Sequence, residues 1–400
     1  MERRVTGLVR RLGNSLRRTA PLRAWAALSG AYLVAYVTIF TTRSLYAGDS
    51  RYYAALTLWL SGSSQDQAYR TVRTYTAGYG FSTPPESVLF NYGLTAPRLL
   101  YPLLSAPFVK LMGLKGLDVV PALSLAGFAA VTFIAVAGRW GWRAALVPLL
   151  LVSVDWRLIF YSASAITEGL TTCLSALILL VAVRRDRLGP TRTTVLLILF
   201  TTLMAFARQA TLIPAGAFAL AWLALTVRRR SPRNRWAAPA LVTMATAVLV
   251  QVAQGLIWPG FSQITHLEGV TGTHSLAAAL RRVPRLFLHI AHVDTLNLSR
   301  ADAPLVLLLA AAALSCVVLW NKEETYLLIG ALAAAAVYNV SNGTPAAFRY
   351  EMPTLPFLVL SVAALAAWVG VGRGAASARG TAELPTGQDT PVSAGTPMPA

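Results

Sequence analysis

98-RLLYPLLSAPFVKLMGLKGL-117 is the stretch on which the topology of this chain turns. It is apolar enough to cross a membrane, yet Pro102, Pro107, Lys110 and Lys115 interrupt it. Around it the 400-residue chain is 56% hydrophobic and only 13% charged, where a soluble domain carries roughly a quarter charged residues. Other apolar stretches run over 24–41, 118–137, 143–161, 166–183, 192–207, 210–227, 237–258, 304–320, 325–340 and 353–372. A helix needs about 20 mostly apolar residues to span ~30 Å of hydrocarbon. The pattern therefore predicts an all-α polytopic membrane protein with about ten transmembrane helices. A soluble enzyme, a disulfide scaffold and a disordered chain are excluded, and Cys173 and Cys316 both lie inside apolar stretches.

The positive-inside rule decides what 98–117 does. If it does not cross, the basic N-terminus 1–23, Arg139 and Arg143, the loops around Arg184–Arg192 and Arg228–Arg235, Lys322 and the tail all face the cytoplasm. If it crosses, the RRDR and RRRSPRNR loops land outside, against the rule. The segment is thus expected to be re-entrant or surface-lying on the outer face, with both termini cytoplasmic in the plasma membrane. The net charge of +19 then reflects orientation and not a nucleic-acid partner. The length of 24–41 and the lack of a small-residue cleavage site favour an uncleaved first span over a signal peptide. The spans 24–372 form the membrane domain, with long external loops at 42–117 and 259–303. The tail 373–400, rich in Gly, Ala, Ser, Thr and Pro, is expected to be disordered.

Function is sought on the outer face. In 46-YAGDSRYYAALTLWLSG-62, Tyr52, Tyr53, Leu56, Trp59 and Leu60 fall at helical spacing, as in an amphipathic helix lying in the interface. Asp49 opens it, either as an N-cap or as a carboxylate placed to take a proton from an acceptor hydroxyl. Further along, Arg98 is either a snorkelling anchor or a phosphate ligand. In 155-DWRLIFYSASAITEGL-170, Asp155 and Arg157 are expected to neutralise one another. Glu168 opens a span, as a helix N-terminal carboxylate or a functional one. Arg208 and Arg349 stand at the outer ends of other spans, where snorkelling competes with anion binding. Arg281, Arg282 and Arg285 form the basic side of a helix whose ordinary partner is anionic membrane lipid. His289-x-x-His292-x-Asp294 has only partial metal-ligand spacing.

In order and in side of the membrane, these segments resemble the GT-C fold of polyprenol-phosphate-sugar-dependent glycosyltransferases, the protein-mannosyltransferase and aminoarabinose-transferase superfamily. The resemblance rests on Asp49 after the first span, the Arg98-Leu-Leu-Tyr-Pro102 segment, the Tyr161–Glu168 turn, and Arg349-Tyr350-x-x-Pro353-x-x-Pro356 before the last span. It implies an inverting transfer of a sugar from a polyprenyl-phosphate donor to a glycan, lipid or protein acceptor in cell-envelope glycan biosynthesis. On that resemblance Asp49 is the catalytic base and Glu168 a second carboxylate. Arg208, Arg281, Arg285 and Arg349 would bind the donor phosphate, and Tyr52, Tyr53, Arg98, Tyr101 and Tyr350 the substrates. Gly48-Asp49-Ser50 carries one acid and no D-x-D signature, so no cofactor is implied and a divalent metal stays open. The competing reading is a transporter or flippase of a lipid-linked glycan, which would use the same arginines without chemistry. Such proteins usually show internal repeats and polar mid-membrane residues, and the sequence shows no repeat. A non-catalytic membrane subunit is the third reading.

Overall fold

A computed structural model describes residues 2–42, 46–260, 262–299 and 302–370, with side chains over 21–41, 46–260, 262–298 and 302–370. The expected disordered tail, 373–400, lies outside the described residues, as do the side chains of the basic N-terminus. Among the described residues every regular element is helical. The first group is α1 (Glu2–Thr42), α2 (Ser50–Leu60), α3 (Gln65–Ala77), α4 (Glu86–Asn91), α5 (Leu100–Met112) and α6 (Val119–Trp140). There follow α7 (Trp142–Val154), α8 (Trp156–Ala163), α9 (Glu168–Val183), α10 (Arg185–Leu188), α11 (Pro190–Ala207) and α12 (Leu212–Arg229). The chain closes with α13 (Ala237–Ile257), α14 (Gln263–Thr271), α15 (Leu276–Ser299), α16 (Ala303–Val318), α17 (Glu323–Asn342) and α18 (Leu355–Trp368).

The chain is an all-helical polytopic membrane protein. Among the described residues six segments are long and apolar enough to cross a bilayer: Pro21–Thr41, Leu100–Trp140, Pro190–Ala207, Leu212–Arg229, Ala237–Ile257 and Glu323–Asn342. The pair α7 and α8, bent by 75° at Asp155, makes a seventh if taken as one broken span. Shorter apolar helices fill the other three expected positions: Glu168–Val183, Ala303–Val318 and Met352–Trp368. All ten expected segments are helical, but only six or seven have the length of a full span.

The opening stretch is a hairpin. α5 stops at Gly113, whose φ of +64° an L side chain rarely adopts. The following turn folds back so closely that a Cβ on Gly116 would stand 2.4 Å from the Phe108 carbonyl carbon. The Tyr101 hydroxyl donates to the Leu117 carbonyl at 2.8 Å. The chain thus doubles back along the second half of α5 before α6 begins. The fold-back divides the apolar run Leu100–Trp140 into two helices, α5 and α6.

At the centre stands α18, buried at every residue from Leu355 to Leu365, as befits a helix apolar on all sides. It packs against α7, α16 and α17. At the periphery, α13 buries only Pro239, Ala240, Thr243, Thr246 and Gln254 and exposes Leu241, Val248, Leu249, Val252 and Leu256. Such a face suits lipid tails. The most extensive helix contact joins α12 to α17. A Cβ on Gly330 would stand 2.4 Å from the Gly216 carbonyl oxygen, and one on Gly216 would stand 2.7 Å from the Ala334 Cβ. Small residues four apart thus let two helices touch backbone to backbone.

Two local expectations are corrected. The aromatic face of α2 meets protein rather than lipid: Tyr52, Tyr53 and Leu56 are buried, and Trp59 and Leu60 at its end are exposed. Asp155 and Arg157 do not neutralise one another. The Asp155 carboxylate accepts from the backbone of Leu158 at 2.9 Å and of Leu305 at 3.1 Å, capping α8 and α16 where the span bends. Arg157 forms its ion pair with Asp302.

Replacing Gly330 with Val should cost about 1–3 kcal/mol through overpacking. A thermal-unfolding comparison with the native protein in the same detergent reads this as a lowered midpoint; an unchanged midpoint would contradict the contact.

Candidate functional site

The link between α11 and α12 is not a surface turn. Arg208, Gln209, Ala210 and Thr211 are all buried, with Arg208 only 2% exposed. A snorkelling role for Arg208 is thereby overturned. A guanidinium buried this deeply is costly without a counter-charge, and Glu168, the first residue of α9, supplies one. Arg208 Nη1 donates to Glu168 Oε1 at 2.5 Å, and its Nε donates to the Tyr338 hydroxyl of α17 at 2.7 Å. The Tyr350 ring lies beneath the same guanidinium, 4.9 Å from centroid to Cζ, a cation–π distance.

Glu168 serves a second arginine. Arg349 Nε donates to the same Oε1, and Arg349 Nη2 reaches Asp49 Oδ2 at 2.5 Å. Four residues from four distant parts of the chain therefore form one chain of charge: Asp49, Arg349, Glu168, Arg208. Their accessibility is graded, since the Glu168 side chain is 1% exposed, Arg349 14% and Asp49 36%. Asp49 is thus the most accessible member of the four.

Asp49 stands at the N-cap position of α2, but its side chain makes no capping hydrogen bond. The carboxylate is turned instead toward Arg349. Burial acts to raise its pKa, but the Arg349 guanidinium, with Arg208 and Arg98 further off, more than offsets that and holds the carboxyl below its ordinary value.

Arg98 adds a third buried cation, 5% exposed. Its Nε donates to Gln209 Oε1 at 2.9 Å and its Nη1 to the Tyr53 hydroxyl at 3.1 Å. Among the described residues it has no carboxylate partner. Within the cluster three guanidinium groups face two carboxylates, and two further acids, Asp294 and Glu351, hold the loop that carries Arg349. Glu168 Oε2 and Gln209 Nε2 are buried without a hydrogen-bond partner. Buried polar atoms left without partners are uncommon in folded proteins, and here one acceptor and one donor stand among the three guanidinium groups.

The loop that delivers Arg349 is strained. Ala347 and Phe348 have φ of 46° and 72°, in the left-handed region that non-glycine residues avoid. The strain is held by neighbours: the Ala347 N–H donates to Asp294 Oδ1 at 2.8 Å, and Asn339 Nδ2 donates to Glu351 Oε1 at 2.5 Å. Consecutive strained residues just before a charged side chain mark a position that the fold determines closely.

Of the residues singled out from sequence, Asp49, Glu168, Arg208, Arg349 and Tyr350 come together, with Arg98 and Tyr53 alongside. Tyr52 is part of the wall and stacks on Tyr92 at 4.9 Å. Tyr101 does not reach the cluster; its hydroxyl closes the hairpin, and its ring meets Tyr53 edge-on at 5.4 Å. Arg281 and Arg285 are exposed on α15 and take no part in the cluster. Sequence reasoning missed Tyr338, Gln209, Asn339 and the anchoring role of Asp294. Tyr338 and Asn339 are polar residues within an apolar helix, a signal that was readable. Among the described residues no group of three His, Cys, Asp or Glu side chains is placed to hold a metal ion, and the His289–Asp294 segment instead supplies the Asp294 anchor. A cavity of about 420 Å³ opens beside Tyr92, lined also by Ser262, Thr265 and His266.

No protein-family model matches the chain, and no curated protein shows significant similarity to it.

The Asp49–Arg349 pair has a definite pH signature. A carboxyl whose folded pKa is depressed stabilises the fold fully above its unfolded value of about 3.9 and loses that contribution as pH falls through the folded pKa. Thermal unfolding should therefore show Asp49→Asn less stable than the native protein at pH 7, with the gap closing below about pH 3.9. A gap that persists undiminished in acid would contradict the ion pair.

Proposed function

We propose that the protein is an inverting membrane glycosyltransferase that moves a sugar from a polyprenyl-phosphate donor to a hydroxyl of a glycan, lipid or protein acceptor. The observation that carries this reading is the way Arg349 is shared. Its Nε is anchored on Glu168, and its Nη2 is engaged by the more exposed Asp49. An incoming phosphate competes with Asp49 for that second donor, and Arg349 stays in place because Glu168 holds it.

The chemistry follows from that exchange. With the donor phosphate on Arg349, and Arg98 contributing its unmatched charge, the Asp49 carboxylate loses its cation and its proton affinity rises. The acceptor oxygen attacks the anomeric carbon as the bond from that carbon to the phosphate oxygen breaks. Asp49 takes the acceptor proton, and polyprenyl phosphate departs with the bonding electrons as an anion. Arginines already fixed in place stabilise that developing charge without reorganising. Glu168 is a positioning residue in this scheme, since it is too deeply buried to touch the acceptor. Arg208 supports it from behind. Aromatic faces suit sugar rings, and the cavity beside Tyr92 lies next to the Tyr52 pair, a suitable place for the acceptor.

The arrangement of basic loops supports an external location for this site in the plasma membrane, with both termini cytoplasmic. Arg281 and Arg285, exposed on the amphipathic α15, fit contact with membrane lipid better than contact with the donor phosphate.

Sugar transfer by the purified protein from polyprenyl-phosphate-linked sugars tests the reading. Asp49→Asn should lower turnover by about 10²–10⁴-fold, the usual contribution of a general base, while binding of the donor persists. Arg349→Gln should weaken donor binding as well. Undiminished turnover in Asp49→Asn, or no transfer from any polyprenyl-phosphate sugar, would sink it.

A further inference from the structure

The opposite end of the bundle carries a larger cavity of about 750 Å³, formed where α6, α12 and α18 end and α17 begins. It is well separated from the cluster around Glu168. Glu323 opens α17 and Tyr338, which touches Arg208, lies near its other end, so fifteen residues and about 22 Å of helix intervene.

Five basic and two acidic side chains line this cavity. The acids are already matched: Arg139 pairs with Glu323 and, at 2.7 Å, with Glu324, while Arg235 pairs with Glu323 at 3.2 Å. Arg228, Arg229 and Lys322 remain, and among the described residues none of them has an acidic partner. Arg228 Nη1 donates only to the Asn321 backbone carbonyl, at 2.5 Å. Arg139 Nη1 and Arg235 Nε are buried without hydrogen-bond partners, so even the paired arginines keep donors in reserve.

The remaining wall is apolar. Leu225, Leu319 and Ala364 line it, with Trp140 beside them and Trp368, 55% exposed, at its edge. Cationic donors above an apolar wall edged by tryptophan complement an amphipath with an anionic head, and tryptophan favours the level of lipid headgroups. A small soluble anion would make no use of that wall. We propose that this cavity holds the phosphodiester headgroup of an anionic phospholipid, gripped by Arg228, Arg229 and Lys322, with its glycerol and upper acyl chains against the apolar side. Basic pockets between membrane helices bind anionic lipid by this physics. The inference does not depend on the glycosyl-transfer reading, and its test does not use activity.

The test is native mass spectrometry of the full chain in mild detergent with equal amounts of phosphatidylglycerol and phosphatidylcholine. The native protein should retain phosphatidylglycerol preferentially. The triple variant Arg228→Gln, Arg229→Gln, Lys322→Gln should lose that retention by on the order of tenfold or more. A control triple, Arg143→Gln, Arg187→Gln, Arg192→Gln, removes the same charge from the same end but outside this cavity, and should leave retention intact. Should the first triple fail to fold, the single exposed change Arg229→Glu gives the same readout. Equal retention of the two lipids, equal loss in both triples, or release of bound phosphatidylglycerol by excess inorganic phosphate would each overturn the proposal.

Discussion

Everything at the polar end of this bundle depends on one buried carboxylate oxygen. Glu168 Oε1 accepts from both Arg208 and Arg349, so it ties the start of α9 to the α11–α12 link and to the loop before α18. Burying any of these charges alone would be prohibitive, and the arrangement is tolerable because each cation meets the same anion. Removing Glu168 would leave two buried guanidinium groups to repel one another. Charge neutrality here also fixes helix positions, since neither Arg208 nor Arg349 can move without exposing the other.

The packing beneath the cluster serves the same end. The backbone contact at Gly216 and Gly330 sets α12 against α17, and that registry brings Tyr338 to within 2.7 Å of Arg208 Nε. A wider helix spacing would break the hydrogen bond before it disturbed the apolar core. The strained residues Ala347 and Phe348 act likewise on the other arginine, held by an acid from α15 and by the wall of α17. Small residues in α12 and α17, and backbone strain in the two residues before Arg349, together set where two guanidinium groups point.

Much of this was legible from one sequence, and the limits have physical causes. Apolar length located the helices, and ionisable groups at their ends identified Asp49, Glu168, Arg208 and Arg349, because charges at membrane depth are costly enough to be rare. Their mutual pairing was not legible: these positions lie far apart in the chain, and nothing local to Arg208 distinguishes a buried arginine from a snorkelling one. Periodicity left the same question open in two places. The aromatic spacing in α2 and the basic spacing in α15 show which residues share a face, but not whether that face meets lipid, solvent or protein. Span length left the number of crossings open, since the apolar helices α9, α16 and α18 are shorter than a usual span.

The shortness of α9 has a consequence of its own. Its 16 residues rise only about 24 Å, against ~30 Å of hydrocarbon in an ordinary bilayer. Glu168 heads this helix, so in a membrane of that thickness the charged cluster is recessed several ångströms below the lipid carbonyls, unless the bilayer thins around it. A recess of this kind favours molecules that arrive sideways, with their tails already in the lipid, over those that must descend from water.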